Sequence, residues 1–142
     1  MPTLQAGQLI PNFTLMSVDG QRISRSDYRG KAGLLLLFLP PADQQTADYL
    51  GALDTTVAGW SREQRALVIA SDGLPELNHS IGLRDPEHTV RQQFLGSAAG
   101  GWFITDRYGE LYAQGSAAAT SDLPKPEEYT EWMEFVGMRC GG

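Results

Sequence analysis

The feature that most restricts how this chain can fold is an apolar run at residues 33–39, which two consecutive prolines bring to an end. A continuous apolar run of this length predicts a strand that is buried on both faces of a sheet. Apolar residues then recur at helical spacing from Tyr49 to Trp60, and Asp43 stands where it can cap that helix. A strand that leads into a helix N-terminus is a common place for chemistry, because free N–H groups and the helix dipole stabilise an anion there. Yet no cysteine, histidine, lysine or arginine lies between Pro40 and Trp60.

The length and the charge of the chain limit its organisation and its partners. With 142 residues, it is most simply one domain, residues 1–142, with enough length for a hydrophobic core. A formal net charge of −6 argues against nucleic acid and against an anionic membrane surface as partners. The apolar run is too short to span a bilayer, and the N-terminus lacks the regions of a signal peptide, so we expect a cytoplasmic protein.

Cysteine and histidine are scarce in this sequence. Cys140 is the sole cysteine, which excludes an intrachain disulfide and a cysteine-based metal site. His79 and His88 are too few for a histidine metal centre without carboxylates, and we expect both at the surface. We therefore predict no metal and no cofactor.

Strand and helix patterns alternate along the rest of the chain. Residues 12–18 and 21–23 flank Asp19 and Gly20, which predicts an N-terminal hairpin. Residues 66–70 form a second apolar strand, and the helix between it and the first one predicts a parallel βαβ unit.

The second half of the chain predicts a further hairpin and two more helices. Residues 74–83 are poorly patterned and predict at most a short helix, whereas residues 85–94 form a helix that Gly96 ends. Residues 102–105 and 110–113 predict a C-terminal hairpin. Residues 116–126 are interpreted as a loop and residues 127–139 as a C-terminal helix.

Four segments in this order resemble the thioredoxin-like fold and, within it, the peroxiredoxin and redoxin family. They are residues 10–20, 26–40, 84–94 and 103–110, and the resemblance covers about residues 7–115. It implies an α/β domain with a mixed central sheet, an N-terminal hairpin, a βαβ unit, a C-terminal hairpin and flanking helices. It also implies antioxidant thiol chemistry, in which the helix dipole and an arginine lower the pKa of a cysteine after the Leu-rich strand, so that its thiolate attacks a peroxide or a disulfide.

The family's reactive positions hold no nucleophilic thiol in this chain. In a peroxiredoxin alignment from Pro40, the peroxide-attacking cysteine falls on Ala47 and the threonine of the motif falls on Gln44. In a thioredoxin Cys-x-x-Cys alignment, the two cysteines fall on Asp43 and Thr46. Both alignments therefore lose the catalytic cysteine.

One further position of the family's site, and the roles of two of these side chains, can also be predicted. The family's cis-proline, or the arginine before the third strand, falls near Gly100. We interpret Asp43 and Thr46 as a helix cap and a first-turn residue, and the alternative is that they line a polar pocket for a ligand or partner.

The C-terminal segment carries the remaining candidates for contact with other molecules. We interpret Cys140 as an exposed tail thiol, and the alternative is a mixed or intersubunit disulfide. If the C-terminal helix packs on the sheet, we expect Trp132 and Met133 to anchor it. If it projects from the domain, it predicts a surface for a protein partner or a homodimer, through Tyr129, Trp132, Met133 and Val136.

Two functions follow from these observations. We favour a redoxin-like pseudoenzyme that has lost thiol-based catalysis and acts by binding a partner or a ligand. The alternative is a thiol-dependent antioxidant oxidoreductase that reduces peroxides or disulfides with Cys140. The enzyme class stays open between the two.

Overall fold

The computed structural model describes residues 4–71 and 73–140, with side chains given up to residue 137. The described residues form seven strands, three α-helices and two 3₁₀ turns. The strands are β1 (Thr14–Ser17), β2 (Arg22–Ser24), β3 (Gly33–Phe38), β4 (Gln64–Ala70), β5 (Ile81–Arg84), β6 (Gly101–Thr105) and β7 (Leu111–Ser116). The helices are α1 (Thr46–Val57), α2 (Thr89–Leu95) and α3 (Pro126–Cys140), and the 3₁₀ turns are Arg25–Tyr28 and Thr120–Asp122.

All seven strands belong to one mixed sheet with the order β2-β1-β5-β4-β3-β6-β7. The strand β3 pairs in parallel with β4, where Leu36 lies opposite Leu67, and antiparallel with β6, where Leu36 lies opposite Phe103. Both predicted hairpins, β1–β2 and β6–β7, are antiparallel. The parallel βαβ unit and the two hairpins predicted from the sequence are therefore confirmed.

The Leu-rich strand separates two hydrophobic cores. Leu35 and Leu37 face the side that α1 and α3 cover, whereas Leu34, Leu36 and Phe38 face the side that α2 covers. Every residue of β3 is buried. Because side chains alternate between the faces of a strand, only a run that is apolar at every position can serve both cores.

The sequence patterns missed β5, which lies between β1 and β4 and pairs with both. The order predicted from the sequence therefore lacks one strand. The carboxylate of Asp54, on α1, accepts N–H groups from Asn78, His79 and Ser80 just before β5, at 3.0, 2.9 and 2.7 Å. This anchor is a long-range contact, and a four-residue strand has no periodicity that would reveal it.

Residues 116–126 are more ordered than the predicted loop. They contain the 3₁₀ turn Thr120–Asp122, and they bury Ala117, Thr120 and Leu123. The hydroxyl of Tyr49 is hydrogen-bonded to the carbonyl of Pro124 over 2.7 Å. The segment therefore packs on α1 and leads directly into α3.

The helix α3 packs on the sheet, with contacts to α1, β3 and β6. It buries Tyr129, Met133 and Val136, so these three side chains are enclosed by the protein's own core and are not available to a partner in this fold. Trp132 and Phe135 remain 37% and 41% exposed. Of the four residues predicted to form a partner surface, only Trp132 is exposed. Phe135, on the same helix, is exposed beside it.

Among the described residues, no helix combines the length and the apolar character that crossing a membrane requires.

Candidate functional site

The junction between β3 and α1 is built around a close backbone contact. Pro40 and Gly100 are both buried. A Cβ added at Gly100 would lie 2.6 Å from the nitrogen of Pro40 and 2.9 Å from the carbonyl oxygen of Phe38. Only glycine fits this approach, so the position that the resemblance assigns to a proline or an arginine has no room for a side chain.

Asp43 and Thr46 close the turn that leads into α1 through reciprocal bonds. The N–H of Gln45 donates to Oδ1 of Asp43 over 2.8 Å, and the N–H of Asp43 donates to Oγ1 of Thr46 over 2.9 Å. The Thr46 hydroxyl also lies 3.2 Å from the hydroxyl of Thr120. Thr46 is the first residue of α1, as predicted, but the N-cap is Gln45 and no side chain caps the helix there. The carboxylate of Asp43 instead binds the N–H of Gln45 within the preceding turn.

A cavity of about 680 Å³ opens beside this turn. Four segments surround it: the β3–α1 junction, the segment after β4, the start of α2 and the segment before β6. It is lined by Leu39, Pro40, Pro41, Ala42, Asp43, Thr46, Ala47, Leu50, Ala70, Ser71, Gly73, Leu74, Pro75, His88, Arg91, Ala98 and Ala99. The structure thus brings Pro40, Asp43, Thr46 and Ala47 together around one cavity. Gln44 and Gly100 are not among the lining residues.

Arg91 is a component of this site that the sequence analysis missed. Its Nη2 donates to the carbonyl of Leu39 over 2.7 Å, and its Nη1 donates to the carbonyl of Ala99. The guanidinium therefore ties the end of the β3 segment to the segment before β6, across the cavity wall. Burial lowers the pKa of Arg91, and the nearby carboxylate of Asp85 opposes that shift. The only sequence signal that Arg91 could contact these carbonyls is its position next to Val90, which faces inward from a short helix.

His88 places a second nitrogen-bearing side chain at the cavity. It precedes α2 with a φ of 60°, and it is the only non-glycine residue with positive φ in the described part of the chain. Histidine is one of the residues that adopt this conformation most readily. The turn is closed by the N–H of His88, which donates to the carbonyl of Asp85 over 3.0 Å.

The comparisons with known proteins give a fold and no sequence family. No family model matches the chain, and no curated protein matches its sequence. The reduced 2-Cys peroxiredoxin of Plasmodium vivax superposes with a TM-score of 0.78 at 17% identity, over 94% of this chain and 97% of that one. A peroxiredoxin-like protein of Aquifex aeolicus gives a TM-score of 0.75 at 14% identity, over 96% and 90% of the two chains. The exposed lipoprotein thioredoxin of Streptococcus pneumoniae gives 0.72 at 17% identity, over 88% and 99%.

The fold is thioredoxin-like. The similar structures are members of the peroxiredoxin and redoxin group, whereas this chain has a single cysteine. That cysteine, Cys140, ends α3, and its side chain lies outside the described residues, so the two interpretations of it stay predictions.

Two further features of this thioredoxin-like domain concern its site. Every peptide bond in the described part of the chain is trans, so the region near Gly100 contains no cis-proline. Within the same residues, no group of three or more histidine, cysteine, aspartate or glutamate side chains is arranged to hold a metal ion.

Proposed function

We propose that this protein acts by binding a ligand or a partner at the cavity beside α1 and has lost the thiol-based catalysis of its structural neighbours. The observation that supports this most strongly is the contrast between the cavity and its lining. The cavity of about 680 Å³ is present, yet the positions at which the family's cysteines fall carry Asp43, Thr46 and Ala47.

The chemistry of these three side chains argues for binding over turnover. Thiol peroxidases need a sulfur that attacks the peroxide oxygen and is oxidised in the same step. The methyl group of Ala47 has no lone pair to attack with. The carboxylate of Asp43 and the hydroxyl of Thr46 are already engaged in hydrogen bonds of the turn before α1. Arg91, which could stabilise a developing anion, therefore has no described nucleophile to assist.

A peroxide-consumption assay tests the loss of catalysis. We would measure the decay of hydrogen peroxide and of an organic hydroperoxide with dithiothreitol as reductant, for the wild type and for Cys140→Ser. We expect neither protein to exceed the protein-free rate. Turnover in the wild type that disappears in Cys140→Ser would refute this part of the proposal and establish the alternative, a thiol-dependent oxidoreductase that uses Cys140.

The exposed aromatic pair on α3 supports a second mode of binding, through a protein partner or a homodimer. The rings of Trp132 and Phe135 pack edge to face with centroids 5.8 Å apart. Sedimentation velocity of the wild type and of Trp132→Ala, with and without a reductant, tests it. A dimer lost in Trp132→Ala supports an α3 interface, a dimer lost only on reduction supports a Cys140 disulfide, and a monomer throughout refutes the homodimer.

A further inference from the structure

We infer that the cavity beside α1 binds an aliphatic carboxylic acid, with the hydrocarbon chain on the apolar wall and the carboxylate on Arg91. This inference rests on the proposed function, because it takes the cavity to be a binding site and assigns the class of its ligand.

The size and the lining of the cavity favour a flexible aliphatic ligand. Its volume of about 680 Å³ is within the range of about 300–1,000 Å³ that is typical of small-molecule sites. Leucine, alanine and proline side chains make up most of its wall, including Leu39, Leu50 and Leu74. The described lining residues include no phenylalanine, tyrosine or tryptophan, and the imidazole of His88 is their one aromatic ring. Nucleobases and other flat ligands gain much of their affinity from stacking on aromatic rings, so this wall offers them little.

The charged groups of the cavity favour an acid and orient it. Arg91 has five N–H donors, and its bonds to Leu39 and Ala99 use only two of them. A carboxylate is the group that matches the planar arrangement of the guanidinium donors best. The carboxylate of Asp43, just before α1, also lines the cavity and repels an anion. The acid end of the ligand is therefore directed toward α2, and the hydrocarbon end toward α1 and the segment after β4.

Two probes with the same ten-carbon chain separate the contribution of the carboxylate from that of the hydrocarbon. Decanoic acid and decan-1-ol would each be titrated, below the concentration at which the acid forms micelles, into the ¹⁵N-labelled full chain. We expect both to shift the amide signals of Ala42, Ala47 and Ala99 at the cavity. We expect the acid to bind about tenfold more tightly than the alcohol.

Matched variants place the probes in the cavity. Ala47→Phe fills part of the cavity and should weaken both probes at least tenfold. Ala52→Phe adds the same ring to an exposed position of α1 that does not line the cavity, and should leave both affinities unchanged. Arg91→Gln should reduce the affinity for the acid to that for the alcohol. Because Arg91 also ties two segments together, the affinity for the alcohol reports whether the cavity survives in that variant.

Four results would overturn the inference. Equal affinities for the acid and the alcohol in the wild type would refute recognition of the carboxylate. Shifts confined to the amides around Trp132 and Phe135, or affinities that Ala47→Phe leaves unchanged, would refute the location. No shift with either probe would refute the ligand class. None of these results bears on peroxide consumption, so failure of this inference is distinguishable from failure of the proposed loss of catalysis.

Discussion

Asp54 is the side chain whose replacement tests most directly how this fold is held together. It is buried on α1, and it accepts N–H groups from three consecutive residues, of which Ser80 is buried whereas Asn78 and His79 are exposed. Asp54→Asn keeps the shape but removes the charge, and it turns an NH₂ group toward at least one N–H donor. The segment before β5 then loses its anchor to α1.

The size of the effect depends on how much water can replace the lost bonds. A hydrogen bond to a charged group contributes about 1.5–3 kcal/mol, and less where solvent can take over the donor. We assign about 2 kcal/mol to the buried Ser80 contact and about 0.5 kcal/mol to each of the two exposed ones. Asp54→Asn should therefore lower the free energy of unfolding by about 3 kcal/mol at pH 7.

The same contacts predict how the effect depends on pH. Burial by itself would raise the pKa of Asp54, but the N–H groups of Ser80, His79 and Asn78 outweigh burial and lower it below the ordinary value. A carboxyl group with a lowered pKa in the folded state stabilises the fold above its unfolded pKa of about 3.9. That stabilisation is lost as the pH falls through the folded pKa. The difference between wild type and Asp54→Asn should thus shrink below about pH 4.

Urea unfolding followed by tryptophan fluorescence at pH 7 and at pH 3 measures both quantities. Asp48→Asn removes a charge from an exposed position of the same helix and is the matched control. It should change stability by less than about 1 kcal/mol. A loss below about 1 kcal/mol for Asp54→Asn at pH 7, or an undiminished loss at pH 3, would refute the reasoning.

Three further predictions concern the core, the β3–α1 junction and a partly buried tyrosine pair, in which the hydroxyl of Tyr49 donates to that of Tyr129 over 2.8 Å. Leu36→Ala should lower the free energy of unfolding by about 3–5 kcal/mol, because Leu36 is fully buried in the central strand; a cost below about 2 kcal/mol in urea unfolding would contradict this. Gly100→Ala should lower the free energy of unfolding by about 1–3 kcal/mol, because the added Cβ would meet backbone atoms. As the control, Gly51→Ala adds a Cβ that meets nothing within 4 Å and should stabilise α1 by about 0.5–1 kcal/mol. If thermal unfolding showed a similar effect for both variants, the close approach at Gly100 would be contradicted. Burial raises the pKa of Tyr49 to about 12 and raises the pKa of Tyr129 further, so stability should fall as the pH rises from about 10 toward 12. Absorbance titration at 295 nm should show at least two fewer tyrosines ionising near pH 10 in the folded wild type than in the unfolded chain, and an equal number would contradict the burial of this pair.

Local patterns in the sequence determined most of the fold. The strand β3 is apolar at every position. Other elements carry equally local signals, such as Asp19 and Gly20 in the turn between β1 and β2, and Gly96 at the end of α2. Each of these signals acts between residues that are close in the chain, which is why sequence reasoning recovered the two hairpins and the parallel βαβ unit. The resemblance to the thioredoxin-like fold rested on these same segments.

The sequence likewise predicts some features of the candidate site and not others. The absence of a cysteine at positions 43, 46 and 47 can be read directly from the sequence. The cap predicted at Asp43 is wrong by two residues, because the N-cap of α1 is Gln45. The role of Arg91 is not, because its bonds reach the carbonyl of Leu39, which is 52 positions away in the chain. Backbone carbonyls carry no residue identity, so no sequence pattern marks them as partners of a particular arginine.

The sequence by itself determined the central strand, the order of the other elements except β5, and the absence of a cysteine from the end of that strand. The tertiary structure determined the rest of the sheet, the packing of α3 and the residues that surround the cavity. Asp54 anchors the segment before β5, three apolar residues of α3 are buried in the core, and Arg91 and His88 line an apolar cavity. Those outcomes depend on contacts between distant segments, and such contacts exist only once the chain has folded and the sheet has set their distances.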